Sequence, residues 1–409
     1  MSLVFLVTRG TAGDILQMIG LAEGLRARAH DVVLMTHAPY AERVAAAGAE
    51  FVPLDTDEQY ERHLAYTPDL LNLRSPRALR EFYDRNGLFA QLRAEIAEMA
   101  ARHRPGDTVL VGRHGSALSV LIAAELLGAP AAWVALYPSQ LITAEVGAHF
   151  LMRGLGDDLD HIRAEFGLGP VPDRRAWPRS AGLTLALWPR WFDDAGIRAP
   201  ADTHLAGFIP GDDAETGSAD DAELPGTQRP AVLVTGGTGR MLHAEFYPAA
   251  LAAVAAAGCT AVVVTPHRDL LPERLPEGVR WVPRVPFTAA LPRFDAVVHH
   301  GGIGTAMRAM RAGTPQLILA HGLDRPDNAA RLAARGLAEW AGPADWAPAT
   351  TGDLLRRALD DSGFGDRAAA QLADDDPAVA VRRAGEALEA LVATDSGRHV
   401  AGSTDGATR

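Results

Sequence analysis

Two stretches of this chain share one pattern: an apolar run breaks into threonine and glycine, and apolar residues then resume at helical spacing. The first is Val7-Thr-Arg-Gly-Thr-Ala-Gly13 and the second is Val234-Thr-Gly-Gly-Thr-Gly239. A buried strand that feeds a glycine loop and a helix opens a parallel sheet, because only a crossover brings the chain back to run the next strand in the same direction. Two such openings predict two α/β domains. Apolar runs at 3–7, 32–35, 109–111 and 132–136 alternate with helical patterns over 15–28 and 116–127, and strands are expected again at 231–235, 261–265, 296–299 and 317–320. Between the halves, residues 211–228 are rich in Gly, Asp, Ser and Pro and read as a linker. The domains expected are therefore 1–210 and 229–393, with a tail at 394–409 too polar and small to pack and expected to be disordered.

Candidate chemistry gathers near residue 300, in Val297-Val-His-His-Gly-Gly-Ile-Gly-Thr305. A strand that ends in a glycine turn opening a helix presents unpaired N–H groups at a positive dipole end, which suits a phosphate. His300 adds a donor that can reach a diphosphate. An ordinary βα turn, with its histidines capping nearby carbonyls, would use the same residues. The next strand, Leu317-Ile-Leu-Ala320, delivers His321-Gly-Leu-Asp324-Arg325-Pro326-Asp327 to the same carboxyl edge. Open α/β sheets bind ligands there, so Asp324 and Arg325 face whatever hangs from the diphosphate.

With Val285-Pro-Phe287-Thr-Ala-Ala-Leu-Pro292 upstream and Asp324-Arg-Pro-Asp-Asn-Ala-Ala-Arg331 downstream, the chain resembles the family 1 glycosyltransferases of the GT-B fold. It is similar within them to bacterial rhamnosyltransferases, to sterol-glucosyltransferase-like enzymes and to natural-product enzymes. The resemblance is dense over 231–340 and lighter over 4–28 and 183–208. It implies two Rossmann-like domains facing across a cleft. It also implies inverting, metal-independent transfer of a hexose or deoxyhexose from a UDP- or dTDP-sugar to an apolar small molecule, in antibiotic biosynthesis. Carried over residue by residue, it gives the diphosphate to Thr238, His300, Gly302, Gly304 and Thr305, the nucleobase to Arg284, Val285 and Phe287, and the sugar to Asp324 and Arg325.

Two positions depart from the pattern. Plant-like relatives stack the base on a tryptophan where this chain has Arg284-Val285-Pro286-Phe287, and many relatives follow the aspartate with glutamine where this chain has Arg325. Arginine brings donors and charge but no acceptor; a solvent-facing Arg325 would leave Asp324 to act alone. Asp14 stands where bacterial members carry the base that deprotonates the acceptor hydroxyl, and it would serve equally as the cap of the first helix. Thr238 has the same two readings, phosphate contact or helix cap. His114 and Tyr137 are the candidate acceptor contacts. An epimerase of the same fold and a non-catalytic partner protein are the alternatives.

Composition narrows the rest. All 39 basic residues are arginine, which removes lysine Schiff-base and Walker-type chemistry, and a net charge of −12 argues against nucleic acid. The single cysteine, Cys259, permits no internal disulfide and fits a reducing cytoplasm. The apolar start Met1-Ser-Leu-Val-Phe lacks a basic leader and reads as the first strand, and no run is long enough for a membrane span. Asp55-Thr-Asp57 has the form of a D-x-D metal motif but lies outside the cluster, so neither metal nor cofactor is expected. Oligomeric state is left open, a homodimer included.

Overall fold

The computed structural model describes residues 1–211 and 230–404, side chains to Thr394, so the expected linker lies outside the described residues apart from Gly211, as does the end of the tail. Two parallel sheets form. The first contains β1 (Leu3–Val7), β2 (Asp31–Thr36), β3 (Glu50–Pro53), β4 (Thr108–Arg113), β5 (Ala131–Ala135), β6 (Leu183–Ala186) and β7 (His204–Leu205). The second contains β8 (Ala231–Thr235), β9 (Thr260–Val264), β10 (Val279–Val282), β11 (Ala296–His299), β12 (Gln316–Leu319) and β13 (Glu339–Ala341). Their orders are β3-β2-β1-β4-β5-β6-β7 and β10-β9-β8-β11-β12-β13, the same winding twice. Each order reverses at its first strand, between β1 and β4 and between β8 and β11. Those are the switch points at which a cleft opens beyond the carboxyl ends.

The continuous apolar runs follow from helices covering both faces of each sheet. On β1, Val4 and Leu6 pack into one core while Leu3, Phe5 and Val7 pack into another. Val232 and Val234 part from Ala231 and Leu233 on β8 in the same way. A fifth core joins the two domains: Trp188, Phe192 and Phe208 of the first meet Met307, Leu332 and Phe364 of the second. Arg331 locks this junction. Only 1% exposed, it donates to the carbonyls of Phe192 (3.0 Å), Asp193 (2.9 Å) and Ile197 (2.7 Å) and pairs with Asp327 at 2.8 Å.

The C-terminal boundary differs from expectation. A helix runs from Pro377 to Thr404, through the segment expected to be disordered, and it packs on the first domain. Ala380, Ala384 and Leu388 enter that domain's core. Arg28 grips Glu389 through Nε (2.8 Å) and Nη2 (2.7 Å). The helix lies so close to the helix Ala12–Ala27 that a Cβ at Gly24 would sit 1.9 Å from Val381 Cγ1. One alanine or leucine every fourth residue makes the apolar face, and the close approach supplies contacts that composition alone did not suggest.

Candidate active site

The first wall of the cleft is the β1 loop. Thr11 is the N-cap of the helix Ala12–Ala27 and Asp14 its third residue, so Asp14 is not the cap itself but its reciprocal partner. Its Oδ2 accepts the Thr11 N–H at 3.0 Å. Gly10 has φ +129°, and a Cβ there would lie 2.2 Å from Asp14 Oδ2, so the carboxylate needs glycine at that turn. Two groups hold Gly10 from behind: its N–H donates to His37 Nε2 at 3.0 Å, and Tyr60 donates its hydroxyl to the Gly10 carbonyl at 3.1 Å. Because a backbone N–H only donates, His37 carries its own proton on Nδ1, which faces Asp55 Oδ2 at 2.6 Å. Asp55 Oδ1 accepts the Ala38 N–H at 3.0 Å, so this carboxylate of the D-x-D sequence is spent on scaffolding. Asp57 starts the helix Asp57–Tyr66.

At the end of β4 the structure corrects one expectation. His114 does not line the cleft; it packs edge-on against Trp133 with ring centroids 5.7 Å apart, and burial pulls its pKa down to about 4. Its neighbour Arg113 lines the cleft instead and pairs with Asp14 Oδ1 through Nη2 at 2.7 Å. Tyr137, beyond β5, also lines the cleft and shares a hydrogen bond with Arg113. Burial first, then the Asp324 charge, pushes its hydroxyl well above the ordinary tyrosine range.

The opposite wall is the turn after β11, where the two histidines separate in role. His299 is fully buried; its Nδ1 accepts the Gly301 N–H at 3.2 Å and its Nε2 faces Gln316 Oε1 at 2.9 Å. Burial lowers it to about 4, so it is a neutral brace that shapes the turn. His300 turns into the cleft between two glycines. A Cβ on Gly237 would stand 3.0 Å from its Cε1, and one on Gly302 2.8 Å from its Nε2. Burial above all, and then the Arg325 charge, holds His300 far below the usual histidine range. Its Nδ1 is buried without a hydrogen-bond partner among the described residues. The helix Ile303–Ala312 starts at Gly302 with no side-chain cap, leaving its first-turn N–H groups open to the cleft.

Thr238 reaches the other domain, its Oγ1 accepting the Ala12 N–H at 3.2 Å, so it caps no following helix. Asn328 donates to Asp324 Oδ2 at 2.6 Å and to the Gly301 carbonyl at 3.1 Å, fastening the loop after β12 to the turn after β11. Burial pushes the Asp324 carboxyl up to about 6. Arg325 does not face solvent: it is 8% exposed, lines the cleft and donates to the His321 carbonyl at 3.2 Å.

Of the thirteen expected site residues, all but His114 and Val285 line this one cleft, Gly304, Thr305, Arg284 and Phe287 among them. Val285 turns under it, 3% exposed in a core with Leu291 and Val297. Sequence reasoning missed Arg113 and Arg308, which also line it; Arg308 donates to the carbonyls of Gly304 (3.3 Å) and Pro210 (3.2 Å). Among the described residues no cluster of three potential metal ligands forms, and no helix is long and apolar enough to cross a membrane.

Both domains match families. Residues 4–132 match the glycosyltransferase family 28 N-terminal domain, and residues 249–388 match the C-terminal domain of erythromycin biosynthesis protein CIII-like proteins. O-mycaminosyltylonolide 6-deoxyallosyltransferase of Streptomyces fradiae is 29% identical over 95% of this chain and 94% of its own length. The dTDP-epi-vancosaminyltransferase of Amycolatopsis orientalis is 27% identical over 86% and 87%. Among solved structures, the kitacinnamycin glycotransferase superposes with TM-score 0.72 at 21% identity, covering 96% of this chain and 99% of that one. Glycosyltransferase VinC in complex with dTDP superposes with TM-score 0.67 at 22% identity over 96% and 100%. With both halves matched, relatives aligned along nearly the whole chain and the fold shared, the chain belongs to the family 1 glycosyltransferases of the GT-B fold.

Proposed function

We propose that this enzyme transfers a hexose or deoxyhexose from a dTDP- or UDP-sugar to a hydroxyl of an apolar small molecule, inverting the anomeric carbon without a metal, in antibiotic biosynthesis. The observation that carries this reading is the facing of two sheet switch points across one cleft. An uncapped helix N-terminus and His300 stand on one side and Asp14 on the other. Open N–H groups at that helix start suit a leaving diphosphate, whose charge grows as the C1–O bond breaks. A neutral His300 brings one N–H donor to the same anion. Asp324 and Arg325 lie where the sugar of a donor so seated would extend, and Phe287 and Arg284 offer flat surfaces to the base. Asp14, across the cleft, takes the proton of an acceptor hydroxyl attacking C1 from the face opposite the diphosphate. The name of one relative and the nucleotide in one solved neighbour favour dTDP over UDP.

The test is a thermal-shift panel of UDP- and dTDP-sugars, then product analysis with an acceptor library in the presence of EDTA. An α-configured donor giving a β-linked product under chelation supports the reading. A retained anomer, or activity lost with EDTA and restored by Mg²⁺, sinks the mechanism, and donor rearranged without acceptor sinks the transferase reading.

A further inference from the structure

The wall of the cleft that carries Asp14 also carries a cation, Arg113. Arg113 closes β4 at the switch point of the first sheet, its side chain 15% exposed. One donor, on Nη2, goes to Asp14 Oδ1 at 2.7 Å, and the guanidinium also shares a hydrogen bond with Tyr137. A guanidinium has five N–H donors in a fixed fork, and Nε of this one is buried without a partner among the described residues. The cation thus keeps donor capacity beyond its bonds to Asp14 and Tyr137. Asp324 and Arg325 face it from the second domain, and the apolar side chains of Leu16, Met241 and Phe287 line the same cleft.

Asp14 adds a complementary constraint. Its Oδ2 holds the Thr11 N–H at 3.0 Å and its Oδ1 holds Arg113, so a hydroxyl that donates to a free lone pair of Oδ1 is brought beside the Arg113 guanidinium. An alkyl alcohol keeps its proton until late in the attack and gains little from that cation, whereas a hydroxyl that ionises easily is stabilised as its oxyanion beside a guanidinium.

We propose that Arg113 receives the reacting oxygen of the acceptor as a phenolate or enolate, and that the acceptor of this enzyme is an aromatic or enolic hydroxyl rather than an alkyl alcohol. The inference rests on the glycosyltransferase reading above. In the step, the phenolic O–H ionises and its proton passes to Asp14 and on to solvent. The oxygen's electron pair forms the bond to C1 as the C1–O bond breaks, and that bond's electrons leave with the nucleoside diphosphate.

The test compares 2-naphthol with its saturated analogue decahydro-2-naphthol, with dTDP-glucose as donor, using the full chain and its Arg113→Gln variant. The parent is expected to favour 2-naphthol by at least ~100-fold in kcat/KM, the low end of what positioned proton transfer supplies. The variant is expected to lose roughly 10- to 150-fold on 2-naphthol, the worth of one charge-assisted hydrogen bond, while dTDP affinity by calorimetry holds. Across substituted naphthols its rate is expected to rise more steeply with acidity than that of the parent. Equal use of the saturated analogue, transfer to neither compound while dTDP-glucose is bound and hydrolysed, or an unchanged variant would overturn the proposal. The parent comparison stands even if the variant does not fold. Failure to bind or consume any nucleotide sugar would instead defeat the underlying glycosyltransferase reading.

Discussion

Asp324→Asn separates the stability of the loop after β12 from the sugar-binding role proposed for it. Burial pushes this carboxyl up to about 6, whereas an exposed aspartate titrates near ~3.9. The folded protein therefore holds the proton more tightly than the unfolded chain. Stability from this group is full below the unfolded value and is lost as the pH rises through about 6. About two pH units at roughly 1.4 kcal/mol each make a deficit of about 3 kcal/mol at neutral pH. Asparagine does not titrate, and its carbonyl oxygen still accepts the Asn328 amide that Asp324 Oδ2 meets at 2.6 Å. The variant should thus be more stable than the parent by up to about 3 kcal/mol near pH 8 and nearly equal to it near pH 4, read from urea midpoints at the two pH values. The gain comes with a loss of function. Nucleotide-sugar affinity should fall about 5- to 100-fold while free nucleotide diphosphate binds as before, since the proposed role gives this carboxylate charged hydrogen bonds to sugar hydroxyls. A stability gap equal at both pH values, or a variant weaker at both, would refute the reasoning.

Three further outcomes are expected. His300→Ala should weaken diphosphate binding about 3- to 10-fold by calorimetry, the worth of a neutral donor; unchanged affinity would remove His300 from the site. Arg331→Met should cost about 3–5 kcal/mol in denaturant midpoint analysis, because three backbone carbonyls lose a buried partner, and a loss under about 1 kcal/mol would contradict its role at the domain junction. Arg325→Gln should reorder kcat/KM across a panel of UDP- and dTDP-sugars more than it alters diphosphate affinity, and an identical ranking would place donor choice elsewhere.

The eight strands legible in the sequence are central in their sheets, where burial on both faces leaves an unbroken apolar run. The edges, β3, β7, β10 and β13, mix exposed and half-buried residues and carry no such signal. Short β6, beside the edge β7, is only half-buried at Leu183 and Thr184 and carries none either. Within the site, the turn after β11 was legible because its glycines and histidines follow directly on an apolar strand. The parity of neighbours at a strand end was not. Gly112-Arg-His-Gly115 has no alternating pattern to say which side chain enters the cleft, and Arg113 does so in place of the expected His114. His299 and His300 likewise look equivalent until the Gly301 N–H commits one of them to the turn. The terminal helix shows its apolar stripe in the sequence, but nothing local states which domain the stripe covers.

That helix changes how the protein can be taken apart. The chain crosses between its halves twice, once through the segment around residue 211 and once more before Pro377, so its last helix belongs structurally to the half that holds β1. A chimera joined only near residue 211 would dress one parent's first helix with the other parent's closing helix. Val381 would then have to meet whatever replaces Gly24, and Glu389 whatever replaces Arg28. Recombining the two halves from different relatives therefore calls for a second junction near residue 376. The transplanted unit is an internal segment of the chain, with both termini staying with the recipient.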